Sequence, residues 1–139
     1  MGIIMVGGIF PPQIYQDIVY NSVGCVQYAA DALQKAIIYG LAANKMDFTL
    51  VNAPFVGSYP KRYKVPYIES FSFNYETLYA TVNAMNVGFC NLSVIKLVSR
   101  YHTMKRELIK HIKSSGDKGN TLLIYSVHSP FLKACVEVK

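Results

Sequence analysis

His128 stands where an apolar run, "LLIYSV", gives way to a proline bend, "HSPF", and then to a helical pattern. Imidazole titrates closest to neutral pH of the side chains, so a histidine at such a bend can orient a hydroxyl or assist a proton transfer. It can equally be held by backbone groups alone. No Asp or Glu follows closely enough to suggest a triad, so His128 is not read as the partner of a nucleophile. Ser129 precedes Pro130, and serine before a first-turn proline predicts a helix N-cap. The second segment with chemical potential is "NSVGCVQYAA", residues 21–30. Here Gly24 lies just ahead of a predicted helix whose free N–H groups and dipole attract a phosphate or carboxylate. Gly24 either lets backbone approach a ligand or only makes a tight turn, since no complete GxGxxG or GxxxxGK[ST] is present.

Cys25 is read as a small loop residue, because no surrounding motif demands a thiol nucleophile. His102, His111 and His128 lack ligand spacing with carboxylates or cysteines, so no metal is expected. The loop "GSYPKRYKVPY" interleaves tyrosines with Lys61, Arg62 and Lys64, a mixture able to stack on sugars or bases and hold phosphate; a solvated loop is the plainer reading.

The elements that must position these residues alternate. Ile3–Val6 is an unbroken apolar run of the kind buried on both faces of a parallel sheet. Val26, Ala29, Ala30, Leu33, Ile37 and Leu41 have helical spacing, with Gln27, Asp31, Gln34 and Lys35 on the wetter side, and Asn44 ends that helix. "DFTLVNAP" predicts a strand stopped by Pro54, which makes the start of a right-handed βαβ unit. A loop over 57–66, a strand near 67–73 and a buried strand at 86–92 follow, with the stretch between them unassigned. Ile95, Val98, Tyr101, Leu108 and Ile112 predict the inner face of a long helix, with Lys96, Arg100, Arg106, Lys110 and Lys113 on a basic outer face. "SSGDKGN" ends it, "TLLIYSV" is the last strand, and Leu132, Cys135 and Val136 begin a final helical stripe. The predicted fold is an α/β, Rossmann-like three-layer sandwich with a mainly parallel sheet.

Composition fits one domain of 139 residues: 52% hydrophobic, 16% charged, net charge +6. That balance excludes a disordered tail and suits an anionic partner without choosing between nucleotide, lipid phosphate, membrane and nucleic acid. Three scattered cysteines predict no disulfide framework and a reduced, cytoplasmic setting. The apolar start has no basic leader and is broken by Pro11-Pro12, so neither a signal peptide nor a membrane span is expected.

The ordered set "IIMVGGIFPP", "GCVQYAADALQKAIIYGL", "TLVNAPFVGSYPKRY", "VGFCNLSVIKLVSRY" and "LLIYSVHSPFLKA" resembles the N-terminal domain of a family 4 glycosyltransferase of the GT-B type, across nearly the whole chain. The family loop usually has Gly-Gly where this sequence has Gly24-Cys25. The resemblance implies residues 1–139 as the acceptor-side half of a GT-B fold, with the donor-binding domain absent from this sequence. It implies a nucleotide-sugar donor, a saccharide or lipid-linked acceptor, a place in cell-surface polysaccharide synthesis, and no cofactor or obligatory metal. It further implies that Gly24, Cys25, Val26 and Gln27 form one wall of the cleft and His128 with Ser129 the other, with His128 against the transferred sugar. This half alone is then expected to be nearly inactive, cytoplasmic, with possible contact at the inner face of the membrane and no nucleic acid. Two other classes fit the residues: a nonenzymatic basic module for anionic lipid or nucleic acid, and a free-standing flavodoxin-like or nucleotide-binding protein.

Overall fold

The computed structural model describes residues 2–116 and 119–139. Its strands are β1 (Ile3–Gly7), β2 (Phe48–Asn52), β3 (Tyr67–Ile68), β4 (Phe71–Glu76), β5 (Thr81–Asn86), β6 (Phe89–Cys90) and β7 (Thr121–Ile124). Its helices are α1 (Tyr15–Asn21), α2 (Tyr28–Ala43), α3 (Lys96–Ser114) and α4 (Ser129–Glu137), with a 3-10 turn at Pro12–Ile14 before α1.

The main sheet runs β4-β5-β2-β1-β7, parallel throughout except for the antiparallel β4–β5 hairpin at one edge. Successive side chains of a strand leave opposite faces, and β1 uses both. Ile4 and Val6 join the core shared with α3 and α4, while Met5 joins the core shared with α2. Helices therefore cover both faces, and the apolar runs of β1 and β2 are explained by that double burial. The α/β class and the mainly parallel sheet match the sequence expectation. The four parallel strands end at one level, with Val6 beside Ile124, Gly7 beside Asn52, and Asn52 beside Asn86. Every loop that leaves this level can reach a common cleft.

Several boundaries and faces differ from expectation. Residues 12–21, to which the sequence reading gives no element, contain the 3-10 turn and α1. The single strand expected near 67–73 divides between β3 and β4, and the strand expected at 86–92 is only β6, which pairs with β3 in a small separate sheet. The unassigned stretch is the β4–β5 hairpin, closed by Thr77, whose hydroxyl accepts from Tyr79 N–H and Ala80 N–H. On α2, Asp31 and Gln34 are buried and Leu33 is exposed, the reverse of the predicted faces. The two buried side chains accept hydrogen bonds from the backbone of the loop after β1, which explains the inversion. Of the run expected to end α3, Gly116 takes a left-handed φ of 65°, a usual device for stopping a helix, and residues 117 and 118 lie outside the described residues.

Candidate functional site

The loop after β1 is fixed from below by three side chains. Gly8 N–H donates to Gln34 Oε1 (2.7 Å), Ile9 N–H to Asn52 Oδ1 (2.7 Å) and Phe10 N–H to Asp31 Oδ1 (2.6 Å). The loop after β2 lies alongside, with Ala53 N–H donating to Gly7 O and Phe55 N–H to Gly8 O. A Cβ at residue 8 would sit 2.7 Å from the Phe55 ring, so Gly8 is what lets that ring lie against the first loop. Asn91, at the end of β6, ties down the 57–66 loop: its Nδ2 donates to Gly57 O, and its carbonyl accepts from Tyr59 N–H. That loop then reaches the α1–α2 connection, where Val23 N–H donates to Arg62 O (2.9 Å) and Lys64 N–H to Asn21 O (2.9 Å).

These loops surround a cavity of about 400 Å³ at the carboxyl ends of the parallel strands. Cys25, Val26 and Gln27 line one side and His128 with Ser126 line another, so the structure brings the two sequence-predicted segments together. Gly24 lies at the turn beside them, with φ of 83° and open space around its Cα, but does not itself line the cavity. Its left-handed backbone is the turn function that the sequence left open. Ser129 is exposed, is the first residue of α4 and is not part of the lining. The N-cap is His128, whose carbonyl accepts from Phe131 N–H and Leu132 N–H; no side chain caps the helix, so the expected Ser129 cap is displaced by one residue. Pro130 occupies the first turn as expected. A larger cavity, about 600 Å³, opens among α3, β7 and α4, but its lining mixes aliphatic side chains with Asn120, Thr121, Cys135 and Lys139 and brings together no set of acid, base and nucleophile.

The floor of the cleft is the main departure from the sequence reading. Lys96 and Arg100, placed by periodicity on an outer basic face of α3, are 7% and 2% exposed and point inward with Met104 and Leu108. Ile95 and Val98, expected inside, are 45% and 58% exposed. The reason is local: carbonyls of the loop after β2 face α3. Arg100 Nη2 donates to Ala53 O (2.7 Å) and Pro54 O (2.6 Å), and Lys96 Nζ donates to Val56 O. The guanidinium also lies against the rings of Phe89, Phe131 and Phe55, at 4.5, 5.2 and 5.4 Å. Cation–π attraction and carbonyl dipoles together replace part of the lost hydration. Burial lowers Arg100 to about 9 and, with Arg100 nearby, Lys96 to about 8. Both remain cationic at neutral pH. The spacing of the two cations, four residues apart and in line with Met104 and Leu108, was the available sequence signal.

His128 is set edge-on to Phe55 and Phe131. Its Nε2 is 3.4 Å from Arg100 Nη1, and because a guanidinium only donates, Nε2 carries the lone pair and Nδ1 carries the proton. Burial, then the charges of Arg100 and Lys96, depress His128 to about 4. It is therefore a neutral hydrogen-bond donor at physiological pH. The cavity lining contains Arg62 besides Lys96 and Arg100, and among the described residues it contains no Asp or Glu. Such a site can hold an anion and orient polar groups through donors; it offers no carboxylate as a general base. Among the described residues no three His, Cys, Asp or Glu side chains gather as a metal site, and no helix is long and apolar enough to cross a membrane.

Comparison with family models, curated proteins and solved structures finds no match to this chain.

Proposed function

We propose that the domain is the Rossmann-like, acceptor-side half of a GT-B glycosyltransferase, working with a donor-binding domain outside these 139 residues. The complete enzyme would move a sugar from a nucleotide-sugar to a saccharide or lipid-linked acceptor. The observation that carries this reading is the convergence of Cys25, Val26 and Gln27 with His128 on one cleft at the carboxyl ends of parallel strands. Ligands of open α/β sheets bind at that edge. Neutral His128 would donate from Nδ1 to a sugar hydroxyl, and Gln27 would add an amide. Positioning and electrostatic stabilisation, with no protein nucleophile, would then be this half's contribution. The test is an NMR titration of the isotope-labelled chain with a panel of nucleotide-sugars and saccharides. Amide shifts are expected at residues 22–28, 55–58 and 126–128. Millimolar ligand that moves none of them, or moves only distant residues, would overturn the reading.

A second reading has its own observation. Val94 is 90% exposed, and Leu97 and Val98 are also exposed on the first turns of α3. The loop carrying Lys61, Arg62 and Lys64 lies beside them, joined by the Tyr59–Leu92 bridge and by Ser93 Oγ donating to Tyr59 O. Apolar side chains flanked by cations suit an anionic lipid surface. Lys96 and Arg100, being buried, are removed from that surface. Val94→Asp with Leu97→Asp should weaken sedimentation with phosphatidylglycerol vesicles by about tenfold or more. Equal sedimentation of the variant, or none by the parent chain, would dismiss this contact.

A further inference from the structure

We infer that Arg62, Lys96 and Arg100 form a subsite for a phosphoryl group in the floor of the cleft. The inference deepens the glycosyl-transfer reading, and rests on it only for which substrate brings the phosphoryl group. The charge argument comes from the site itself.

Buried cations in proteins are ordinarily paired with carboxylates, because stripping water from an unpaired charge is costly. Lys96 and Arg100 join none of the ion pairs found among the described residues. Their partners are carbonyls, rings and a neutral imidazole, which soften the charge without neutralising it. Arg100 Nε is buried with no hydrogen-bond partner. A side chain serving packing alone could be aliphatic at lower cost in desolvation. Two adjacent uncompensated cations beneath an open cavity instead constitute one half of an ionic contact.

Arg62 adds a third cation to the lining. Its side chain is exposed, but its backbone is held from both sides, with N–H donating to Ser58 O and the carbonyl accepting from Val23 N–H. Gly57 is packed so closely that a Cβ there would come within 2.3 Å of Arg62 Cβ. The backbone of Arg62 is thus fixed, and its exposed side chain belongs to the cavity lining. Ser58, Ser126 and neutral His128 add uncharged polar groups to the lining. One carboxylate needs one guanidinium fork; three cations with extra donors suit the several oxygens and double charge of a phosphoryl group.

The test is calorimetric and thermal-shift titration at constant ionic strength, using inorganic phosphate, pyrophosphate, a nucleoside diphosphate and a short alkyl phosphate, with chloride and acetate as controls. Phosphate and pyrophosphate should bind saturably and raise the melting temperature. Arg62→Gln and Lys96→Gln should each weaken pyrophosphate by about tenfold or more. Arg62→Gln alters an exposed side chain, so it reads binding even if a buried variant misfolds. A nucleoside diphosphate that binds far more tightly than alkyl phosphate assigns the group to the donor; the opposite order assigns it to a phosphorylated acceptor. Responses no larger than with chloride, or unchanged affinity in Arg62→Gln, would overturn the subsite. Phosphate binding without any response to sugars would keep the subsite and remove the glycosyl-transfer reading, and the reverse pattern would remove the subsite alone.

Discussion

Asn52→Leu should lower the unfolding free energy by about 3–5 kcal/mol, although leucine has the same branched side-chain skeleton as asparagine and is far more apolar. Asn52 is fully buried at the end of β2, where the parallel strands level off. Its Oδ1 accepts from Ile9 N–H, and its Nδ2 donates to Ile9 O and to Asn86 Oδ1, both at 3.0 Å. Asn86 in turn donates from Nδ2 to Glu69 O. Leucine would leave Ile9 N–H, Ile9 O and Asn86 Oδ1 buried without partners, at about 1–3 kcal/mol for each group. Better apolar transfer of the side chain offsets only part of that. Denaturant titration should show a lower midpoint with unchanged slope. A loss below about 1 kcal/mol would mean that the asparagine pair merely occupies space, against the expectation for a satisfied buried network. Because Ile9 precedes the cavity-lining Phe10, the same variant should also loosen the first wall of the cleft.

Asn52 also marks where sequence reasoning stops. The run "FTLVN" announces a strand because Phe48, Leu50 and Val51 are apolar, yet nothing local says that its last residue joins two loops. β1, β2, β7 and the lengths of α2 and α3 were legible because each is long or apolar enough for its period to dominate. The β4–β5 hairpin was not, since its turn is built on Thr77 rather than on a Gly or Asn-Gly signal. On α2 and α3 the misplaced residues share one reason, while Leu108 inside and Arg106, Lys110 and Lys113 outside stand as expected. Asp31, Gln34, Lys96 and Arg100 are buried by backbone groups of loops distant in sequence, and a hydrophobic period assigns such residues to water. That Cys25, Val26, Gln27 and His128 would share one edge of the sheet was legible, because helix starts and strand ends are local features. The cationic floor beneath them depends on tertiary carbonyl contacts and became visible only in the fold.

Arg100→Ala tests that floor directly, with an expected cost of about 3–5 kcal/mol in unfolding free energy. Alanine removes both bonds to the carbonyls of Ala53 and Pro54 and opens a void among Phe55, Phe89 and Phe131. Arg100→Met should cost less, because its flexible thioether fills much of the void while the carbonyls stay unpaired. The second readout is His128, which the Arg100 charge helps hold near 4, below its ordinary 6.5. Between those values the unfolded chain binds a proton that the folded protein does not. Stability is therefore full above about pH 6.5 and is lost as pH falls toward 4, by on the order of 2 kcal/mol once solvent screening of this half-buried group is allowed for. Without the guanidinium, the imidazole should titrate at higher pH by NMR, though not fully to its ordinary value, since burial is the larger cause and Lys96 remains. The acid-sensitive window should narrow in the same variant. A neutral-pH stability loss with no movement of His128 would reduce Arg100 to a packing element. Movement of both would make it the group that holds the loop after β2, keeps His128 a neutral donor and presents positive charge to the cleft.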